Sequence, residues 1–237
     1  MKASRRPVVS PTSWPSVRSP KVLFLVLVLV VGACGGNGDG APTITTGPGA
    51  ESAEAAVEEL RTHLNDGDFA SASALAVPNQ AALASLAEGA TFSQVARALE
   101  GGDAQVAANF WSGFAQGVGE TFPPGTAVAA AGTTNESGVD FFLVEVSPGS
   151  GTERLVVTQD IDGHRIDLFA SFASGFAGRL ISPIEILLTS LTEDAVLILS
   201  EMKTTVPSLL VASSDESLTP DAVQEILQLI ELITRAG

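Results

Sequence analysis

The chain has 237 residues, 45% of them hydrophobic and 16% charged, which is ample apolar material for a core. Five of the 12 Lys and Arg lie before residue 34 and every Asp and Glu lies at or after Asp39; the remainder therefore holds 7 basic and 27 acidic side chains, a formal charge of −20. So acidic a domain, with no basic stripe, is repelled by phosphate backbones and by anionic lipid head groups, which excludes nucleic-acid binding and flat electrostatic docking on a membrane.

The first element is an apolar run, Val22 to Val31, preceded by Lys2, Arg5, Arg6, Arg18 and Lys21 and followed by small residues. Its ten residues are too few to span a bilayer, which takes about 20 at helical rise. They fit the apolar region of an export signal. Val31-Gly32-Ala33-Cys34 follows: an aliphatic residue, two small residues and the chain's one cysteine. These four residues resemble the lipobox of bacterial lipoproteins. The resemblance implies cleavage between Ala33 and Cys34 and a thioether-linked, palmitate-type diacylglycerol on Cys34. The expected location is then a cell membrane, lipid-anchored on the extracytoplasmic face. The competing reading is an ordinary secretory signal with an incidental cysteine. Arg5-Arg6 suggests twin-arginine export, but Pro7-Val8-Val9-Ser10 does not continue that signal. Two acyl chains anchor a protein without help from a basic surface. A lone cysteine also rules out an internal disulfide or a thiolate metal site.

Residues 34–50, rich in Gly, Pro and Thr, are expected to form a flexible tether with little to bury. The folded part begins at residue 51. Ser52 caps a helix whose apolar positions are Ala53, Ala56, Val57, Leu60 and Leu64. Asn65-Asp66-Gly67-Asp68 ends it, Asp68 caps a short helix from Phe69 to Val77, and Pro78 stops that one. Asn79 and Thr91 are further cap candidates, with Thr91 to Gln94 fitting a capping box. After Gly101-Gly102, Asp103 opens a helix with Val106, Phe110, Phe114 and Val118 on one face.

Pro123-Pro124-Gly125 marks a change of period. Thr126–Thr134, Val139–Ser147, Thr152–Asp160 and His164–Ala170 read as strands, separated by Asn135 to Gly138, Pro148 to Gly151 and the Asp162-Gly163 turn signal. Connections this short make an antiparallel meander. Helical signals return at Ser182-Pro183, at Thr192 with Glu193 and Asp194, and at Thr219-Pro220. The last helix is expected to show Val223, Ile226, Leu227, Ile230 and Ile233 on one face.

The expected fold is therefore α+β: N-terminal helices, a four-stranded antiparallel meander and a C-terminal helical extension. The stretch AVEELRTHLNDGDFASASALAVP, residues 56–78, followed by the meander resembles the NTF2-like (cystatin-like α+β) domains of small bacterial lipoproteins. On that resemblance residues 51–170 form the domain, and residues 171–237 an extension packed on it, after a 1–33 signal and a 34–50 tether. The helices between Asn79 and Val118 and the extension depart from the family pattern and could fill or cover its cone-shaped pocket.

Catalytic chemistry is not legible. His63 and His164 are the two histidines, a hundred residues apart and without metal-ligand spacing. His63 sits where a helix C-terminus favours a cation. No nucleophile elbow, phosphate loop or dinucleotide motif is present. Asp66/Asp68 and Asp160/Asp162 have D-x-D spacing but no EF-hand continuation, and read as turns rather than calcium ligands. Asp140 and Asp167 alternate within apolar strands and are expected to face solvent. Trp111, rotated about 100° from Phe110, either packs under the C-terminal helices or offers a ligand or partner surface. The candidate pocket or partner residues are thus Trp111 and His164, with no catalytic residue, metal or cofactor assigned. The expected function is a non-catalytic, membrane-tethered binding domain for an apolar ligand or an envelope protein. The alternatives are an isomerase or hydrolase built on an NTF2-like pocket, and an assembly lipoprotein acting through its C-terminal helices.

The lipobox reading makes the first prediction: Cys34→Ser abolishes acyl labelling and releases the protein from the membrane fraction. A mutant that still incorporates a palmitate analogue and sediments with membranes refutes it.

Overall fold

The computed structural model describes residues 48–121, 125–147, 152–190 and 192–235, and for 113–121 the backbone alone. Residues Val31 to Cys34, the signal and nearly all of the tether lie outside that set. Within it the architecture is α+β, a four-stranded antiparallel sheet with helices before and after it.

Helix α1 (Ala53–Asp66) starts at Ser52, whose hydroxyl accepts from the Ala55 N–H at 3.1 Å, and stops at Gly67, which takes φ 73°. α2 (Phe69–Ala74) is capped by Asp68. α3 (Gln80–Ser85) follows Asn79, which adopts φ 65° but caps nothing with its side chain; its amide instead donates to Glu201. Thr91 likewise makes no side-chain cap for α4 (Phe92–Glu100), so the expected capping box does not form. Asp103 accepts from the backbone N–H groups of Gln105 and Val106 at the start of α5 (Ala104–Thr121).

Strands β1 (Ala127–Glu136), β2 (Val139–Ser147), β3 (Glu153–Asp160) and β4 (Gly163–Ile166) pair in chain order. The first hairpin is tighter than its four turn-forming residues suggest. Glu136 pairs with Val139, and Ser137-Gly138, at φ 54° and 84°, form a two-residue turn of the primed kind that matches strand twist. The last hairpin turns on Ile161-Asp162, one residue before the expected pair. β4 ends at Ile166, not Ala170. Asp167 there accepts from the Ala170 N–H at 2.8 Å and caps α6 (Leu168–Phe172), so a cap overrides the apolar run.

α7 (Ala177–Thr189) already runs before Ser182-Pro183 and carries Pro183 in its interior. Leu180 and Ile184, buried on either side of the proline, supply packing that outweighs the missing N–H. α8 (Glu193–Thr204) is capped by Thr192, α9 (Val206–Ser213) follows, and α10 (Pro220–Arg235) closes the chain. α10 packs on α7 and α9. It buries Ile226, Leu229, Leu232 and Ile233, while Leu227, expected on that face, is 49% exposed.

Helices cover the sheet on both faces. Val144, Val146, Leu155 and Val157 meet α1, whereas Phe141 and Val156 meet Ala170 of α6 and Val211 of α9. The second layer is fastened by Arg154, which pairs with Asp215 at 3.2 Å and donates to the Val211 carbonyl.

The expected tether ends sooner than residue 50. Ala50 is buried and exchanges backbone hydrogen bonds with His164 at 3.0 and 2.9 Å, and Gly49 donates to the Asp162 carbonyl at 2.9 Å. Two glycines make this approach possible. A Cβ on Gly163, which sits at φ 129°, would lie 2.7 Å from the Gly49 carbonyl carbon and 2.8 Å from the Ala50 oxygen. Gly163→Ala should therefore destabilise the protein by about 1–3 kcal/mol, and a chain beginning at Glu51 should also melt lower. Because the clash partner is then missing, Gly163→Ala should cost less in the shortened chain. Urea denaturation of the four proteins checks this; additive losses would show that Gly163 and Gly49 do not meet.

Candidate functional site

The NTF2-like resemblance implies a pocket between α1 and the sheet. That space is nearly full. Val57, Leu60, Val128, Val146, Leu155 and Phe172, with Arg61 at the rim, surround a cavity of about 10 Å³. One water molecule is about the limit of such a volume. Phe172 enters from α6, so the early end of β4 and the start of a helix there close the interior.

The larger recess, about 320 Å³, is an open groove across the start of α1 and the adjacent sheet. Ser52, Ala53 and Glu54 form one wall; Ala130, Gly132 and Thr133 of β1 form another; Phe142, Leu143 and His164 complete it. His164 is half-buried, with its ring edge-on to Phe142 at 5.2 Å and Nδ1 3.4 Å from the Ala50 oxygen. The structure therefore places His164 at a groove, beside the point where the described chain begins. Glu54 shares that groove without a hydrogen bond to His164. Its acidic first-turn position reads from sequence simply as a match to the helix dipole, so nothing in the pattern signalled its place here.

Trp111 is not a pocket or partner residue. It is fully buried, edge-on to Phe110 at 5.0 Å, with Nε1 donating to Ser73 Oγ at 2.7 Å. α5 packs among α1, α2 and α4, so Trp111 lies under the N-terminal helices and not the C-terminal ones. Adjacent helices on two sides bury both Phe110 and Trp111 despite their 100° separation. The side chains of Phe114 and Val118 lie outside the described residues.

His63 also has a local role. Its Nδ1 is 3.4 Å from Asp68 Oδ2, and the Ser71 hydrogen bonds hold the Asp68 carboxyl below the ordinary range. Asp160 accepts from the Asp162 N–H at 2.8 Å and from Nε of the buried Arg165 at 2.8 Å. Burial opposes its ionisation, but Arg165 and the turn N–H groups outweigh burial and its pKa falls. One carboxylate of each D-x-D pair, Asp68 and Asp160, is thus taken up in a cap or a turn, and among the described residues no cluster of three or more His, Cys, Asp or Glu could hold a metal ion. Asp140 faces solvent as expected, accepting from Asn135 Nδ2 at 2.6 Å.

Asp167 contradicts its expectation. It is buried, and it joins the end of β4 to α9 through Ser208 Oγ, which donates to Oδ2 at 2.7 Å. Beside it, Gln80 Oε1 accepts from the Leu168 N–H at 2.6 Å. Alternation failed here because Asp167 is no longer in a strand.

Comparison of the chain with family models, with curated proteins and with solved structures gives no match. Among the described residues no single helix is long and apolar enough to cross a membrane.

Asp167 allows a signed prediction. Burial raises its pKa, and the hydrogen bonds from Ala170, Ser208, Gln80 and Phe169 offset this only in part. The folded protein then keeps a proton that the unfolded chain releases near pH 4. This group's contribution to stability is greatest below that pH and declines as pH rises toward the folded-state value. In Asp167→Asn the amide oxygen can accept from Ala170 and the amide N–H can donate to Ser208 Oγ. The stability of wild type relative to this variant should fall with rising pH in urea titrations; parallel curves would show no raised pKa.

Proposed function

We propose that this chain is a lipid-anchored, extracytoplasmic, non-catalytic binding domain, and that its ligand is a segment of another envelope protein. The observation that carries the choice is the contrast in free volume. An interior space of about 10 Å³ cannot take an apolar ligand, whereas the open groove of about 320 Å³ can receive a chain segment from outside. Anchoring rests on the Val31-Gly32-Ala33-Cys34 motif, and the docked Gly49–Ala50 segment, C-terminal to it, lies beside the groove.

Two other readings each have one observation in their favour. Glu54 and His164 line one groove, as an acid–base enzyme would require, but among the described residues no hydrogen bond joins them, and His164 Nδ1 lies 3.4 Å from the Ala50 oxygen. Ile186 of α7 and Val196 of α8 are 66% and 65% exposed, which suits assembly through the C-terminal helices.

Complementation of a deletion strain separates the enzyme from the binding domain. His164→Gln keeps a polar side chain of similar reach in the groove wall but cannot shuttle a proton near neutral pH. The variant should complement. Failure of a variant that melts like wild type would replace the binding domain by the enzyme.

A further inference from the structure

β1 is an open sheet edge. Among the described residues it pairs with β2 alone, and the strand order leaves its other side open. In an antiparallel pair alternate residues turn their N–H and C=O groups away from the neighbour. Among the described residues, no backbone or side-chain group bonds those of β1. The opposite edge is treated differently: Gly49–Ala50 covers β4 at His164, and the Leu75–Val77 segment bonds Ile166. Natural sheets blunt exposed edges with Lys, Pro or inward-pointing charge. From Ala127 to Thr134, AVAAAGTT, β1 has none of these three; its one guard is the bulge between Ala130 and Gly132, and the exposed Ala129, Ala130, Ala131 and Gly132 carry no bulk that would screen the backbone beside it. Ala130, Gly132 and Thr133 also form a wall of the groove.

Charge around this edge has one sign. Glu54 enters the groove from the α1 side. Glu145, opposite Ala129 in the β2 register, is exposed on the other face, and Glu136 and Asp140 stand at the hairpin end. Among the described residues both nearby arginines are neutralised: Arg61 pairs with Glu58, and Arg154 with Asp215.

Resting on the reading of the chain as a partner-binding domain, we infer that β1 captures an extended segment of the partner as a fifth strand. That segment carries lysine or arginine among small and β-branched residues and lacks acidic ones. Main-chain hydrogen bonds to the edge supply affinity, and the flanking carboxylates select the charge.

The test uses the full-length chain in detergent and two synthetic peptides, one repeating Lys-Thr-Val-Thr and one with glutamate for each lysine. The lysine peptide should bind, more weakly as salt rises, and the glutamate peptide should not. Amide hydrogen exchange across 127–134 should slow when the lysine peptide is present. Ala129→Lys, at an exposed position, should weaken binding by about tenfold or more while leaving the melt unchanged; Ala131→Pro, at the β1 bulge, provides a second block of the edge. Undiminished binding by both variants, binding without slowed exchange in β1, or binding of neither peptide overturns the inference. Self-association of the free protein that Ala129→Lys abolishes also overturns it, because the occupant would then be a second copy. Cys34→Ser fractionation reports the membrane anchor independently, so a failed peptide titration removes the edge assignment and not the anchored location.

Discussion

Asp167 is the junction on which the rest of this fold depends. Its backbone N–H donates to the Val156 carbonyl at 2.9 Å, tying it to the sheet, while its side chain starts α6 and receives Ser208 from α9. Gln80, from a helix formed almost ninety residues earlier, bonds the first N–H groups of α6 alongside it. One buried acidic residue thus brings together the N-terminal helices, the meander and the C-terminal helices. A partly satisfied network of this kind would be costly in a low-dielectric interior; with each acceptor occupied, it specifies one arrangement of the layers.

That arrangement determines where free space remains. Because the chain becomes helical at Leu168, Phe172 comes round beneath α1 and fills the space a longer fourth strand would have left. The C-terminal helices then reach the far side of the sheet, so neither face is available for a large enclosed ligand. Accessible chemistry is displaced to the rim: the groove at the start of α1 and the adjoining strand edge. The same wrapping explains the arginines. Arg154 and Arg179 bridge to Asp215 and Glu88, joining layers and leaving the surface strongly acidic.

The elements that were legible from sequence are those whose signals are local. Ser52, Asp68, Thr192 and Thr219 each accept a backbone N–H as their residue types suggest, and three of the four strands fall within two residues of their expected bounds. The misreadings required knowledge of distant partners. Thr91 has the right neighbours for a capping box but makes no cap, and Pro183 looks like a helix start because the packing of Leu180 and Ile184 cannot be seen in one dimension. Leu229 and Leu232, rather than Leu227, face inward on α10 because α7 and α9 meet it from a direction that periodicity alone does not define. At the groove, His164 was visible as an isolated ionisable residue on a strand. Glu54 and the β1 wall were not, since nothing in one chain segment records which helix start crosses which strand.

The docked Gly49–Ala50 segment also fixes a length scale. Under the proposed anchoring, the fourteen residues 35–48 separate Cys34 from Gly49. Even fully extended they reach no more than about 50 Å. The docking bonds prevent the folded part from lending further chain to this span. The domain would therefore patrol a thin shell above the bilayer, and any protein it engages must come within that layer or belong to the same membrane.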